Sequence, residues 1–367
     1  MRGHALLLIG LLGCSSTPPV GDQVTGAGGS ASGGNTSSAI TLGAGGRQSG
    51  PGGVATSPTV DQNCGNSAST MTAVPADLLL LLDRSGSMTS DIASDDPCDA
   101  TTGACSERWA TMGQAMRKVL ATSSANIHWG LKLFSTPGLS TGLGEVPMGC
   151  VVLPDMEVPV EVGSSHADAI VDRMGATTPN YNTPTRAAVQ TATTYLGSLH
   201  DGRAKYILLA TDGQPNCPSA GDVPTAPDLP AALQAIATAR AAGIKVYVIG
   251  VGPSAGNLDE MARQGGTEKF YPALSPQSLV AALDTIVGMV ASCVYTMNSI
   301  PPDPTNLGVY LDKQLVPQGT SDGWTLSGKS SVVFGGATCE RIKAGSFSQV
   351  QVLFGCPGST TLPTWIP

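Results

Sequence analysis

The chain has 367 residues, 41% of them hydrophobic, enough for one sizeable core, yet only 13% are charged and 46 are glycine. That balance calls for a packed domain joined to a long stretch that cannot pack. A formal net charge of -8, with no lysine- or arginine-rich stripe, excludes nucleic-acid binding and charge-driven attachment to anionic lipid.

The first residues, "MRGHALLLIGLLGCSS", place one positive charge before an apolar run that stops at Gly13-Cys14. The run is too short to cross a bilayer and reads as a secretory signal. Its end, "LLGC", resembles the lipobox of bacterial lipoproteins. The resemblance implies cleavage before Cys14, acylation of Cys14 and a location in the bacterial cell envelope. Ser15, where Asp would retain the protein at the inner membrane, implies the outer membrane, on its periplasmic or its surface face. Contact with the membrane is then through the lipid anchor only. The organisation expected is a signal peptide over 1–13, a disordered Gly/Ser/Thr-rich tether over 14–63, an α/β domain over 64–293 and a small β-rich region over 294–367. As a flexible coil the tether reaches roughly 35 to 42 Å.

From Ala73 onward apolar runs alternate with helical stretches. "ADLLLLLD" is a short apolar run closed by a turn, the pattern of a strand buried on both faces. "RWATMGQAMRKVLAT" has helical spacing, with Trp109, Met112, Met116 and Leu120 near one face. "IHWGLKLFS" reads as a strand, "CVVLPDMEVPVEV" as a further strand or hairpin, and "HADAIVDRM" and "TRAAVQTATTYLGSL" as helices. Then come strand "KYILLATDG", helix "LPAALQAIATARAAG", strand "IKVYVIGVG", helix "NLDEMARQGG", strand "KFYPAL" and helix "PQSLVAALDTIVGMVASC". This order predicts an α/β fold: a doubly wound, mostly parallel sheet with helices on both faces. After Cys293 helical signals vanish, and "LGVYLDKQLVPQG", "GWTLSG", "SSVVFGG" and "SQVQVLFGCP" read as short strands joined by turns.

Nine cysteines are an odd number for an exported chain, and acylating Cys14 leaves eight, enough for four disulfides. Sequence leaves the pairing open. Proximity favours Cys98 with Cys105, Cys150 with Cys217, Cys64 with Cys293 and Cys339 with Cys356. No CxxC spacing occurs, which argues against a zinc site.

Ligands of an open parallel sheet bind at the carboxyl ends of its strands. Asp83 ends one predicted strand and Asp212 another, in "LLATDGQPN", while "YNTPTRAA" opens a helix with Thr183 and Thr185. Three loops thus bring two carboxylates and several hydroxyls to one rim. Such hard oxygen donors, few of them charged, suit magnesium, with manganese or calcium as other ions they accept. Asp83 and Ser85, and Thr183 or Thr185, also have a plain structural reading as helix caps.

In sequence order, "DRSGSM" as Asp-x-Ser-x-Ser, "NTPT" as Thr-x-Thr and "TDG" resemble the metal-ion-dependent adhesion site of von Willebrand factor type A domains. The resemblance covers about Cys64 to Cys293. It implies direct metal ligation by Ser85, Ser87 and Thr183, with Asp83 and Asp212 acting through water or directly. One coordination position is left for an Asp or Glu carboxylate of a protein ligand. Many family members carry a glycine pair before Thr-x-Thr. Here Tyr181 and Asn182 stand there, Asn being a residue that tolerates left-handed backbone.

Other constellations are weaker. Asp91, Asp95, Asp96 and Asp99 in "SDIASDDPCDATTGAC" lack the glycine and terminal glutamate of an EF-hand and read as a solvated, disulfide-closed loop. His128, His166 and His200 fall in no catalytic pattern, and no phosphate-binding glycine loop occurs, so no enzymatic activity is expected. The expected role is adhesion or protein–protein interaction through a divalent cation. The alternative is a structural envelope component in which the domain is a scaffold and metal only stabilises it.

Overall fold

The computed structural model describes residues 68–69, 71–98, 105–124, 127–136, 149–161, 164–217, 227–254, 258–343 and 349–365. The expected signal peptide, Cys14, the tether, Cys64 and Asp99 lie outside the described residues.

Two short strands, β1 (Ala68–Ser69) and β2 (Met71–Ala73), precede β3 (Ala76–Asp83). After a 3-10 turn at Gly86–Thr89 follow α1 (Arg108–Ser123), β4 (Ile127–Phe134), β5 (Val158–Glu161), α2 (Ser164–Gly175), α3 (Thr185–Ser198) and β6 (Lys205–Thr211). The domain continues with α4 (Leu229–Ala241), β7 (Lys245–Val251), α5 (Leu258–Gln264), β8 (Tyr271–Ala273) and α6 (Pro276–Val290). Its six strands lie in the order β5-β4-β3-β6-β7-β8, parallel except for β5, which runs antiparallel to β4. The architecture is the doubly wound α/β fold expected from the alternation of elements.

The leucine run explains why β3 is central. Side chains alternate across a strand, so Leu78, Leu80 and Leu82 enter the core formed with α1, α2 and α6. Leu79 and Leu81 enter the core formed with α3, α4 and α5. All five leucines are fully buried, and together they contribute on the order of 10 kcal/mol. Trp109, Met112, Met116 and Leu120 line the inner face of α1, as their spacing predicts.

Helix α6 starts at a capping box. The Ser278 N–H donates to Ser275 Oγ (3.1 Å), and the Ser275 N–H donates to Ser278 Oγ (3.0 Å). Replacing Ser275 with alanine removes one arm of the box. A loss of ~1 kcal/mol is expected, read as a lower urea midpoint with an unchanged slope.

The C-terminal region contains β9 (Val294–Met297), β10 (Leu307–Leu311), β11 (Gln314–Val316), β12 (Trp324–Ser327), β13 (Ser331–Phe334), α7 (Gly336–Lys343) and β14 (Val350–Phe354). Two four-stranded antiparallel sheets form, β1-β14-β10-β11 and β12-β13-β9-β2. They share a core that includes Val309, Leu311, Trp324, Val332 and Val352. Strands from both ends of the described chain therefore complete this region: Ala68 pairs with Leu353, and Thr72 with Thr296.

A helix, α7, stands where only strands were expected. Its first turn is held from fifteen residues upstream, where Asp322 Oδ1 accepts the Ala337 N–H (2.8 Å), a cap no local pattern reveals. The disulfides Cys98–Cys105 and Cys150–Cys217 form as expected. Cys293, however, pairs with Cys339, not with Cys64, and Cys339 is therefore not bonded to Cys356. Helix α7 brings the Cys339 Cα to 5.5 Å from that of Cys293, overriding proximity in sequence. Cys356 is also disulfide-bonded.

Candidate metal centre

Because β3 and β6 are adjacent and parallel, Asp83 and the residue after Thr211 emerge at the same sheet edge. Asp83 is fully buried. Its Oδ1 accepts the Ser85 N–H (2.8 Å) and its Oδ2 accepts the Thr211 hydroxyl (2.6 Å). The first bond curls the chain into the 3-10 turn and sets the Ser85 and Ser87 hydroxyls 3.0 Å apart. Ser87 Oγ in turn donates to Asp212 Oδ1 (2.9 Å). Asp83, Ser85, Ser87 and Asp212 thus form one continuous hydrogen-bonded rim, with Ser85 buried and Ser87 exposed.

Thr183 and Thr185 open α3 beside it. Both are buried, and the Thr185 Oγ1 has no hydrogen-bond partner. Asn216 anchors Thr183: its Oδ1 accepts the Thr183 N–H (2.7 Å), and its own N–H donates to the Thr183 carbonyl (3.2 Å). Ser87 and Thr183 line a common cleft of about 560 Å³ with Gln214, Pro215 and Asn216. All five sequence-predicted donors therefore belong to one end of the sheet.

The departure from the glycine pair is resolved at Tyr181, not at Asn182. Tyr181 takes the left-handed backbone (φ 77°), which aims its carbonyl at the Gly86 N–H (3.1 Å) and ties the two loops together. Its ring side lies against Gly149, where a Cβ would collide with it.

Sequence reasoning missed Arg108, the first residue of α1. It is buried, and its Nη1 donates to Asp212 Oδ2 (2.7 Å) and to the Ser87 carbonyl (3.3 Å). Its Nη2 is ion-paired with Asp95 of the acidic loop. A cation on the first turn of a helix opposes the macrodipole. That local inconsistency in "SERWATM" is the signal that marks it.

The electrostatics leave the rim short of positive charge. Burial, reinforced by the Asp212 carboxylate, pushes Asp83 up to about 7. Burial also raises Asp212, against the pull of Arg108 downward. The one guanidinium contacts Asp212 and not Asp83, and the neighbouring donors are neutral hydroxyls. This donor set fits a hard divalent cation.

The remaining candidates settle elsewhere. His128 is buried, with Nδ1 3.3 Å from Asp77 Oδ1 at the opposite end of β3. His166 meets the Pro159 carbonyl and His200 is exposed. Asp91 accepts the N–H groups of Ala93 and Ser106, so it shapes its own loop. Asp91 also lies beside Cys98 and Cys105, whose sulfurs are bonded to each other.

The fold and rim define a doubly wound α/β domain with an oxygen-rich site at its strand ends. No family model and no curated protein matches the chain. Among solved structures it is similar to the pilus adhesin SpaC from Lactobacillus rhamnosus GG, in an open conformation. That match has 16% identity and a TM-score of 0.45, covering 81% of this chain and 41% of that one. It is also similar to the PilB minor pilin from Streptococcus sanguinis, at 18% identity and a TM-score of 0.43, covering 60% and 62%. A third is proximal thread matrix protein 1 from the mussel byssus with zinc occupied MIDAS motif, at 15% identity and a TM-score of 0.39, covering 62% and 50%. This chain thus spans less than two thirds of the length of each. The likenesses are remote, and the site is read from this chain's own residues.

Proposed function

We propose that the α/β domain is a type A-like binding domain that captures a protein ligand through a divalent cation. One observation carries this: Asp83, Ser85, Ser87 and Asp212 form a single bonded rim that is buried at its carboxylates and open at Ser87. Ser85, Ser87 and Thr183 would hold the ion through hydroxyls, with Asp83 and Asp212 behind them. The ion would supply an electrophilic point that neutral donors leave partly uncompensated, and an Asp or Glu carboxylate of the partner would complete it. Magnesium is the proposed ion, with manganese or calcium as alternatives. The role is binding, not catalysis. With the lipobox resemblance at Cys14, the domain would be displayed from the bacterial envelope on its tether.

Calorimetric titration of magnesium tests the reading. Saturable binding is expected, weakened about tenfold or more in Thr183→Ala, which removes one neutral ligand. A folded wild type giving no binding heat with either magnesium or manganese would remove the cation from the reading. The scaffold reading would then stand in its place.

A further inference from the structure

We propose that Arg108 sets the charge of the metal rim, and that Asp95 sets how much of the guanidinium's charge the rim feels. The proposal rests on reading the rim as a cation site. Arg108 is held from four directions. Asp212 Oδ2 and the Ser87 carbonyl accept from Nη1, and Asp95 pairs with Nη2. Gly252, at the end of β7, leaves the space the guanidinium fills: a Cβ there would collide with Nε, Cζ and Nη2. Gly252 has φ 95°, so its glycine is required twice over.

The geometry splits the duties of the Asp212 carboxylate. Oδ2 is bound to Arg108, and Oδ1 accepts from Ser87 on the rim. The guanidinium makes one hydrogen bond to the carboxylate, at Oδ2, and leaves Oδ1 to Ser87 and the rim. It also places a permanent cation next to the site, repelling any metal that arrives. Asp95 offsets that cation from the far side. It lies three residues before Cys98, takes left-handed backbone (φ 65°) and accepts the Ser254 hydroxyl (2.5 Å). Asp95 is part-exposed, unlike the buried Arg108, and is the solvent-facing member of the relay.

The relay predicts opposite signs for two adjacent charge changes. Manganese is titrated into the full chain by calorimetry, with thermal unfolding followed with and without the ion. Arg108→Gln is expected to bind manganese about tenfold more tightly, and Asp95→Asn about threefold to tenfold more weakly, as removal of one unit charge near a partly buried site implies. Arg108→Lys keeps the charge and is expected to return the affinity toward that of the wild type. A merely structural arginine predicts the reverse: Arg108→Gln would lose stability and metal affinity together. In the relay it melts lower without metal yet gains more from metal.

Weaker manganese binding in Arg108→Gln, with the wild type still binding, would overturn the proposal and leave the cation site standing. A wild type that takes up no manganese would overturn both.

Discussion

Replacing Asp83 with asparagine is expected to weaken divalent-cation binding about a hundredfold and, at neutral pH, to make the metal-free protein more stable. Both effects follow from one buried carboxylate. Asp83 has no cationic partner of its own in direct contact, only the Ser85 N–H and the Thr211 hydroxyl, and both can bond to an amide of the same shape. Burial raises it from 3.8 to about 7, so the folded state holds its proton more tightly than the unfolded chain does. The stability contributed by that proton is fully present below about pH 4 and lost as pH rises through about 7. At ~1.4 kcal/mol per pKa unit, the ceiling on what ionisation costs the metal-free fold is about 4 kcal/mol. Asparagine escapes it, and a rise in melting temperature on the order of 5 °C is expected at pH 8. The gain should shrink to nothing at pH 4. Calorimetry of magnesium alongside should show a loss of about a hundredfold or more, since a charged donor has gone. An asparagine variant that is less stable than the wild type at pH 8 would contradict the account of the rim as a charge-deficient pocket.

The second large effect is expected from removing Cys150–Cys217 as a pair of serines. The bond closes a loop with a sequence separation of 67, joining the segment before β5 to the loop after β6. Chain entropy alone assigns such a closure about 4 kcal/mol, and a loss of 2 to 4 kcal/mol is the usual range. Urea unfolding would read it as a shift in midpoint. The bond also has a local consequence, because Cys217 follows Asn216, whose side chain and backbone hold Thr183. Magnesium affinity should therefore fall as well, by about tenfold. If stability drops while affinity stays constant, Asn216 holds Thr183 without help from the bond.

The parts of the fold that were legible in the sequence are those whose cause is local. The leucine run announced a strand buried on both faces, because an apolar run closed so soon by an acid and a turn is too short for a buried helix. The rim residues were legible because Asp83 ends a strand, Asp212 follows one, and Ser85 and Ser87 sit in the turn after β3, positions that flanking sequence marks. Arg108 was not legible as a site residue, since its partners Asp212 and Asp95 lie on other elements and only its unfavourable place on the first helical turn marks it. The pairing of β1 with β14 and of β2 with β9 joins residues hundreds of positions apart through strands of two to five residues, too short to show a period. Helix α7 was hidden for a similar reason, being eight residues long, capped from Asp322 and stapled through Cys339.

The strands β2 and β9 clamp the two ends of the α/β domain to each other, and the Val74 N–H adds a bond to the Val294 carbonyl. Both lie toward the start of β3, whereas the rim lies at its finish. A tensile load applied between Ala68 and the exposed Ser87 at the rim would therefore run lengthwise along β3. Parallel neighbours β4 and β6 grip that strand in register on both sides, from Ala76 to Asp83 and from Asp77 to Leu82. Loaded this way, their hydrogen bonds must slide and fail together instead of opening one after another. The central strand is the member that would bear such a pull, braced by its neighbours along its own direction.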